Sequence, residues 1–162
     1  MSKINYSLIK DSRGSTSKSF FYSLNDKRTE FFWENSLKKE KLVSGIPEKL
    51  TTEIIKKLKM FEQRKEFLLH EITLISIAKK FNTNSSYLSK VINEFKGKNF
   101  ANYINDLRIE YTINQLNLNS KYRQYSIAAV ADEAGFNNSK SFSRAFLKRT
   151  GKQASVFIRE LG

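Results

Sequence analysis

Apolar residues recur along this chain at helical spacing. Leu74, Ile77, Ala78 and Phe81 stand at i, i+3, i+4 and i+7, the full amphipathic template, and Thr73 just before them is a residue type that caps a helix start. The polar run Asn82-Thr83-Asn84 predicts a turn. Leu88, Val91, Ile92 and Phe95 then repeat the template, and Gly97 supplies the stop. Residues 100–116 predict a longer helix with two apolar stripes. Phe100, Tyr103, Ile104, Leu107 and Tyr111 make one; Ile109, Ile113 and Leu116 make the other. A helix apolar on two sides is expected between two bodies, so this segment reads as a connector. The short pattern then returns. Ser126 precedes Ile127, Val130, Ala131 and Ala134, and Gly135-Phe136-Asn137 turns the chain. Asn138 precedes Phe142, Ala145 and Phe146, and Gly151 closes the helix. Val156, Phe157 and Leu161 predict a short terminal helix. Upstream, Pro47 suits a first helical turn, and Ile54, Leu58, Phe61 and Leu68 are spaced for one helix face. Before Gly45 the pattern dissolves into an irregular arm with two aromatic clusters, Phe20-Phe21-Tyr22 and Phe31-Phe32-Trp33.

The two short-helix stretches are an internal repeat. Ala78 and Ala131 differ by 53 in number, whereas Asn84/Asn138, Ser85/Ser139, Ser89/Ser143, Gly97/Gly151 and Lys98/Lys152 are identical pairs differing by 54. One residue is therefore inserted in the second turn. With two copies and a connector, this is no solenoid array. Each copy is a short helix, a tight turn and a second helix, the helix-turn-helix plan. The small residues Ala78 and Ala131 suit a close helix crossing.

The outward faces of the second helices suggest chemistry. In the first copy Ser86, Ser89, Lys90 and Asn93 stand at i, i+3, i+4 and i+7, opposite the apolar set. In the second, Lys140, Ser143 and Arg144 occupy matching positions, with Lys148 one turn on. Ser and Asn are short enough to approach base edges, and Arg and Lys reach guanine acceptors or phosphates. A helix entering a major groove needs this mixture of donors with few acids. An ordinary solvated face is the bland alternative, weakened because two such faces occur in register on matched scaffolds.

Composition sharpens this picture. The 162 residues make one compact domain plus an arm, or two small domains. With 29 Lys and Arg against 16 Asp and Glu, the net charge is +13, which points to a polyanionic partner. Cysteine is absent and His70 is the single histidine, so disulfides, thiolate sites and multi-histidine metal sites are excluded. Six Gly and one Pro disfavour a turn-rich all-β protein. No uncharged run approaches the ~20 residues that span a bilayer, and the opening residues carry no leader pattern, so a cytoplasmic location is expected. Ser-x-x-Lys spacings at Ser36/Lys39 and Ser76/Lys79 are expected by chance among 21 lysines, and no nucleophile partner for His70 stands out. Neither a phosphate-cradling glycine loop nor a carboxylate cluster is present. No catalytic residue, metal ligand, cofactor or small-molecule site is therefore predicted.

Residues 55–161 resemble the DNA-binding domain of the AraC/XylS family of bacterial transcription regulators. The resemblance rests on TLISIAKKFNTNSSYLSKVINEFKGKNFANYINDLRI and YSIAAVADEAGFNNSKSFSRAFLKRTGKQASVFIREL. In the second string Ile127, Ala131, Gly135-Phe136, Phe142-Ser143-Arg144, Phe146, Lys148 and Gly151 fall on the family signature. The resemblance implies a seven-helix, all-α domain of two homeodomain-like helix-turn-helix repeats joined by a long connector. It implies base and backbone contacts from Ser85, Ser86, Ser89 and Lys90, and from Ser139, Lys140, Ser141, Ser143 and Arg144. RNA polymerase is implied as a further partner. Two positions depart from the family pattern: Ala154 stands where Pro is usual, and Thr112 where Ala is common.

The expected organisation is an arm over residues 1–45 and the DNA-binding domain over 46–162. Within the latter fall a first helix-turn-helix at 73–95, a connector at 100–116 and a second helix-turn-helix at 126–149. Such a chain acts on double-stranded DNA, as a stand-alone regulator or as the output end of a larger sensor. The arm is a candidate for self-association or for contact with that sensor. A basic RNA-binding or architectural protein shares the charge, but only Phe31-Phe32-Trp33 offers it a stacking platform.

Overall fold

A computed structural model describes residue 43 and residues 45–161. Seven α-helices follow one another among these residues: α1 (Glu48–Gln63), α2 (Leu74–Lys80), α3 (Ser85–Lys96), α4 (Phe100–Leu118), α5 (Ile127–Glu133), α6 (Ser139–Thr150) and α7 (Ala154–Glu160). Short 3-10 turns at Glu66–Leu68 and Tyr122–Gln124 link them, and no strand occurs among the described residues. The all-α expectation holds. The arm's aromatic clusters lie outside the described residues, although Val43 and Ile46 are buried and an Ile46 amide donates to the Val43 carbonyl.

Two details of the first helix differ from the sequence reading. Pro47 sits one residue ahead of α1 as its N-cap, in an extended conformation (ψ 137). Leu68 is not on the α1 face. The helix ends at Gln63, and Lys65 takes a left-handed φ of 54, so the chain turns before Leu68 is reached. Lys65 lays its ammonium over the Tyr111 ring, 5.4 Å from the centroid, an attraction that favours the bent path.

Two apolar cores form, and α4 belongs to both. Tyr103 and Ile104 are buried in the first core with Ile54, Leu58, Phe61 and Phe67 of the α1 region and with Leu88, Val91 and Ile92 of α3. Ile109, Ile113 and Leu116 are buried in the second with Val130, Ala131, Phe142 and Phe146. These are the two stripes expected from the pattern, now each covered by one helix-turn-helix unit. In the second core Phe136, Phe142, Phe146 and Phe157 meet in sequence, edge to face or tilted, with successive ring centroids 5.4, 5.6 and 5.4 Å apart. Aromatic pairs at such separations add to the gain from burial.

Buried polar groups tie the elements together. The Glu62 carboxylate on α1 accepts the Tyr103 hydroxyl at 2.7 Å and pairs with Lys96 at 2.9 Å, so α1, α3 and α4 meet on one carboxylate. Burial, and then the Glu62 charge, raise the Tyr103 pKa well above its ordinary value, which keeps the phenol a donor. Fully buried Thr112 satisfies its hydroxyl by donating to the Arg108 carbonyl at 2.9 Å. That local bond is how a hydroxyl is accommodated at this departure from the family pattern.

Ala154, the other departure, is the first residue of α7. Proline is favoured there, because the first amide of a helix has no intrahelical acceptor. Gln153 before it is already extended at φ −67 and ψ 143, as a residue preceding proline prefers. Ala154→Pro should therefore raise stability by about 0.4–1 kcal/mol, through a less flexible unfolded chain. Thermal or urea unfolding checks this; a fall in midpoint would mean that the ring collides with the second core.

Candidate nucleic-acid interface

The two units, α2–α3 and α5–α6, are built by the same local rules. Thr73 caps α2 in a reciprocal box with Ser76: each side-chain oxygen accepts the other residue's amide at 3.0 Å. Ser126 caps α5 by accepting the Ala129 amide at 3.2 Å. The second helices are capped by the repeated asparagines. Asn84 accepts the Tyr87 amide and Asn138 the Ser141 amide, both at 2.8 Å. Both helices end on a left-handed glycine, Gly97 (φ 66) and Gly151 (φ 73).

The turns also match bond for bond. Thr83 donates to the Ala78 carbonyl at 3.0 Å, and Phe136 to Ala131 at 2.9 Å. Each turn passes through one left-handed residue, Asn82 at φ 54 and Gly135 at φ 80. Ala78 and Ala131 are buried where their helices cross. Asn137 is therefore the inserted residue: it lies after the conserved turn bond and before the Asn138 cap. Lys57 of α1 also braces the first turn by donating to the Phe81 carbonyl, a contact not anticipated from sequence.

These scaffolds turn the predicted site residues outward. On α3, Ser86, Lys90 and Asn93 are exposed, and Ser85 and Ser89 are half-buried. On α6, Ser139, Lys140, Ser141, Ser143, Arg144 and Lys148 are all exposed. The α6 residues carry no acid, and the single acid of α3 is Glu94. Among the described residues Lys90, Lys140 and Arg144 form no salt bridge, so their charges face solvent. Lys148 behaves differently: its ammonium donates to Asn102 of α4 at 3.1 Å. Its neighbour Arg149 pairs with Glu110 of α4. Burial raises the Glu110 pKa despite that guanidinium. Lys148 and Arg149 thus flank the outward face on its connector side. Sequence reasoning also passed over Leu147. It lies 54 residues after Asn93, on the same face, and is 47% exposed.

Among the described residues no cluster of His, Asp or Glu could hold a metal ion. None of the described helices is long and apolar enough to cross a membrane.

A family model described as a helix-turn-helix domain matches residues 77–160, more than half of the chain. The chain belongs to the AraC-type helix-turn-helix family. Such a domain is a DNA-binding part of transcription regulators and not an enzyme class. The AraC-type domain is 35% identical over 80 residues to the uncharacterized transcriptional regulatory protein YesN of Bacillus subtilis, an alignment covering 49% of this chain and 21% of that protein. It is also 35% identical over 85 residues to the Msm operon regulatory protein of Streptococcus mutans, covering 52% and 29% respectively. The alignments thus span about a fifth and under a third of these relatives' lengths. In fold it is similar to the C-terminal domain of AraT, a response regulator from Geobacillus stearothermophilus. There the TM-score is 0.58 at 24% identity, over 67% of this chain and 84% of that one. A DNA-binding transcriptional dual regulator from Escherichia coli K-12 gives 0.53 at 18% identity, over 69% and 91%.

The asparagine caps should be worth measuring separately from any contact with DNA. Asn84→Ala and Asn138→Ala should each lower stability by about 0.5–2 kcal/mol in urea unfolding, with Asn→Asp or Asn→Ser recovering most of the loss. An unchanged midpoint for both would show that the caps contribute nothing to the two helices.

Proposed function

We propose that this chain is a sequence-specific, double-stranded-DNA-binding transcription regulator whose helices α3 and α6 enter successive major grooves of one asymmetric site. The observation that carries this reading is the double occurrence of one scaffold with two different outward faces. In α3 that face is Ser86, Ser89, Lys90 and Asn93; in α6 the same positions hold Lys140, Ser143, Arg144 and Leu147. Matched scaffolds give matched modes of insertion, and unmatched faces give unmatched sequence. A single chain then needs no second copy to read its site, and the two blocks should lie about one helical turn, ~34 Å, apart.

Roles follow from chemistry. Arg144 and Lys90 are the candidates for guanine acceptors; Ser85, Ser86, Ser89, Asn93, Ser139, Ser141 and Ser143 offer short donors to base edges or phosphates. Lys140 and Lys148 suit the phosphate backbone. Residues 46–162 form the reading domain in this proposal. Residues 1–45 join it to a second copy or to an upstream sensor, and RNA polymerase is the partner through which binding alters transcription. The match to part of longer transcriptional regulatory proteins supports the output-domain form, and DNA as partner supports action in the cytoplasm.

Selection of binding sites from random duplex DNA tests the core of this reading. The expected result is an asymmetric two-block motif. Arg144→Ala and Lys90→Ala should each weaken binding by about 1–3 kcal/mol and relax preference at a single base pair, with Lys56→Ala as the neutral control. Selection of no motif, with an equally steep salt dependence on every duplex, would replace the proposal with charge-driven architectural binding. Deleting residues 1–42, which leaves the buried Val43 in place, should abolish any self-association and leave DNA affinity in place, as seen by light scattering and titration on one preparation.

A further inference from the structure

The turn of the second unit is locked onto the backbone that leads out of α1, whereas the first turn meets α1 through the Lys57 side chain at the Phe81 carbonyl. A side-chain carbon on Gly135 would fall 2.3 Å from the Leu68 carbonyl oxygen and 2.8 Å from its carbonyl carbon. Nothing larger than hydrogen fits. The left-handed φ alone does not demand glycine, because Asn82 holds φ 54 at the matching place in the first turn. Glycine is required at 135 by the closeness of the other unit.

Arg108 of α4 holds the same stretch of backbone. Its Nε donates to the Phe67 carbonyl at 2.8 Å and its Nη2 to the Leu69 carbonyl at 2.7 Å. The guanidinium also stands 5.3 Å from the centre of the Phe136 ring, the residue after Gly135. One side chain thus binds both faces of the contact. His70 lies 3.6 Å from Asp132 just outside it, and Lys148–Asn102 and Arg149–Glu110 fasten α6 to α4. A connector helix by itself would leave each unit free to rock about its own core. These cross-contacts remove that freedom.

We infer that the Leu68–Gly135–Arg108 clamp fixes the distance and angle between α3 and α6, and so sets which spacing of two DNA blocks the chain accepts. Arg108 and Gly135 are positioning residues in this inference, which rests on the two-groove reading for its consequence on DNA. Two-headed binding gains avidity only when both heads engage together, so loosening the clamp should affect the paired site and not the single blocks.

The experiment has a DNA-free arm and a DNA arm. The chain lacks cysteine, so Ser86→Cys and Ser143→Cys accept two spin labels whose separation reports the α3–α6 geometry. Expected is a narrow distance distribution in the parent, broadened or shifted in Gly135→Ala and in the milder Arg108→Lys, with helical content intact by circular dichroism. On DNA, block spacing is varied by single base pairs. The parent should prefer one spacing by about tenfold or more, and the variants should lose that preference while binding isolated blocks as the parent does. Should Gly135→Ala fail to fold, Arg108→Lys carries both arms. Clamp variants with parental distance distributions and parental spacing preference would overturn the inference. A parent with a narrow distance distribution but indifferent to spacing would instead sink the two-groove reading.

Discussion

A helix with apolar stripes on two sides can be left to water on neither, and α4 is such a helix. Tyr103 and Ile104 require one core, and Ile109, Ile113 and Leu116 require another. Each unit alone is too small to enclose its short helices, yet each finds in α4 the wall it lacks. The connector is therefore no spacer between finished domains. It completes both cores, and the buried Glu62–Lys96–Tyr103 cluster and Arg108 fix its rotation between them. Burial pulls the Arg108 pKa down from its ordinary value to about 10, so the guanidinium is still charged at neutral pH when it donates to two carbonyls. A buried cation with those acceptors removed would be strongly destabilising, which makes this residue a point where fold and geometry meet.

The repeat shows how one local solution is adapted to two surroundings. The asparagine caps, the turn bond and the terminal glycines are the same in both copies. The left-handed turn residue is not: Asn82 faces solvent, whereas Gly135 is pressed against Leu68. The inserted Asn137 belongs to the same difference. It lengthens the second turn outside the conserved Phe136–Ala131 bond, so the buried part of the turn keeps its shape. Apart from the apolar residues that fill each core, the units differ where one meets the other and in what each shows to solvent.

Much of the fold was readable from periodicity, because each α-helix from α2 to α7 has its own apolar template and most have a capping residue in place. Thr73, Ser126 and Asn138 cap where their residue types suggested, Asn84 caps α3 from a run that read only as a turn, and α3 and α6 begin where expected. The failures have a common physical origin. Leu68 fits the spacing of α1, but Lys65 diverts the backbone first; a left-handed lysine carries no sequence signal. The partners of Arg108 carry no signal in the sequence, since they are carbonyls 39 and 41 residues away. The Gly135 contact is likewise long-range: sequence shows a glycine suited to a turn and cannot show the carbonyl facing it. Outward residues were easier to name, because exposure on a helix follows from being opposite an apolar stripe. Their division of labour was harder, since the connector side of α6 is defined only by Asn102 and Glu110 arriving from α4.

That division makes the two outward faces chemically unequal in a way that bears on how the chain would meet DNA. The α6 residues include four cations and no acid, but Lys148 and Arg149 turn toward α4, leaving Lys140 and Arg144 unpaired on the outward face. The outward face of α3 has Lys90 alone, set among serines and an asparagine. Long-range attraction depends on charge and falls with salt, whereas short hydroxyl and amide donors act only within hydrogen-bond distance. In the two-groove reading, the second unit would therefore supply more of the salt-sensitive attraction, and the first would depend more on close fit. A rigid clamp between them has a purpose under that division. Attraction by one unit delivers the other to a groove at a fixed place, and weak short-range donors become selective when their position is no longer free to adjust.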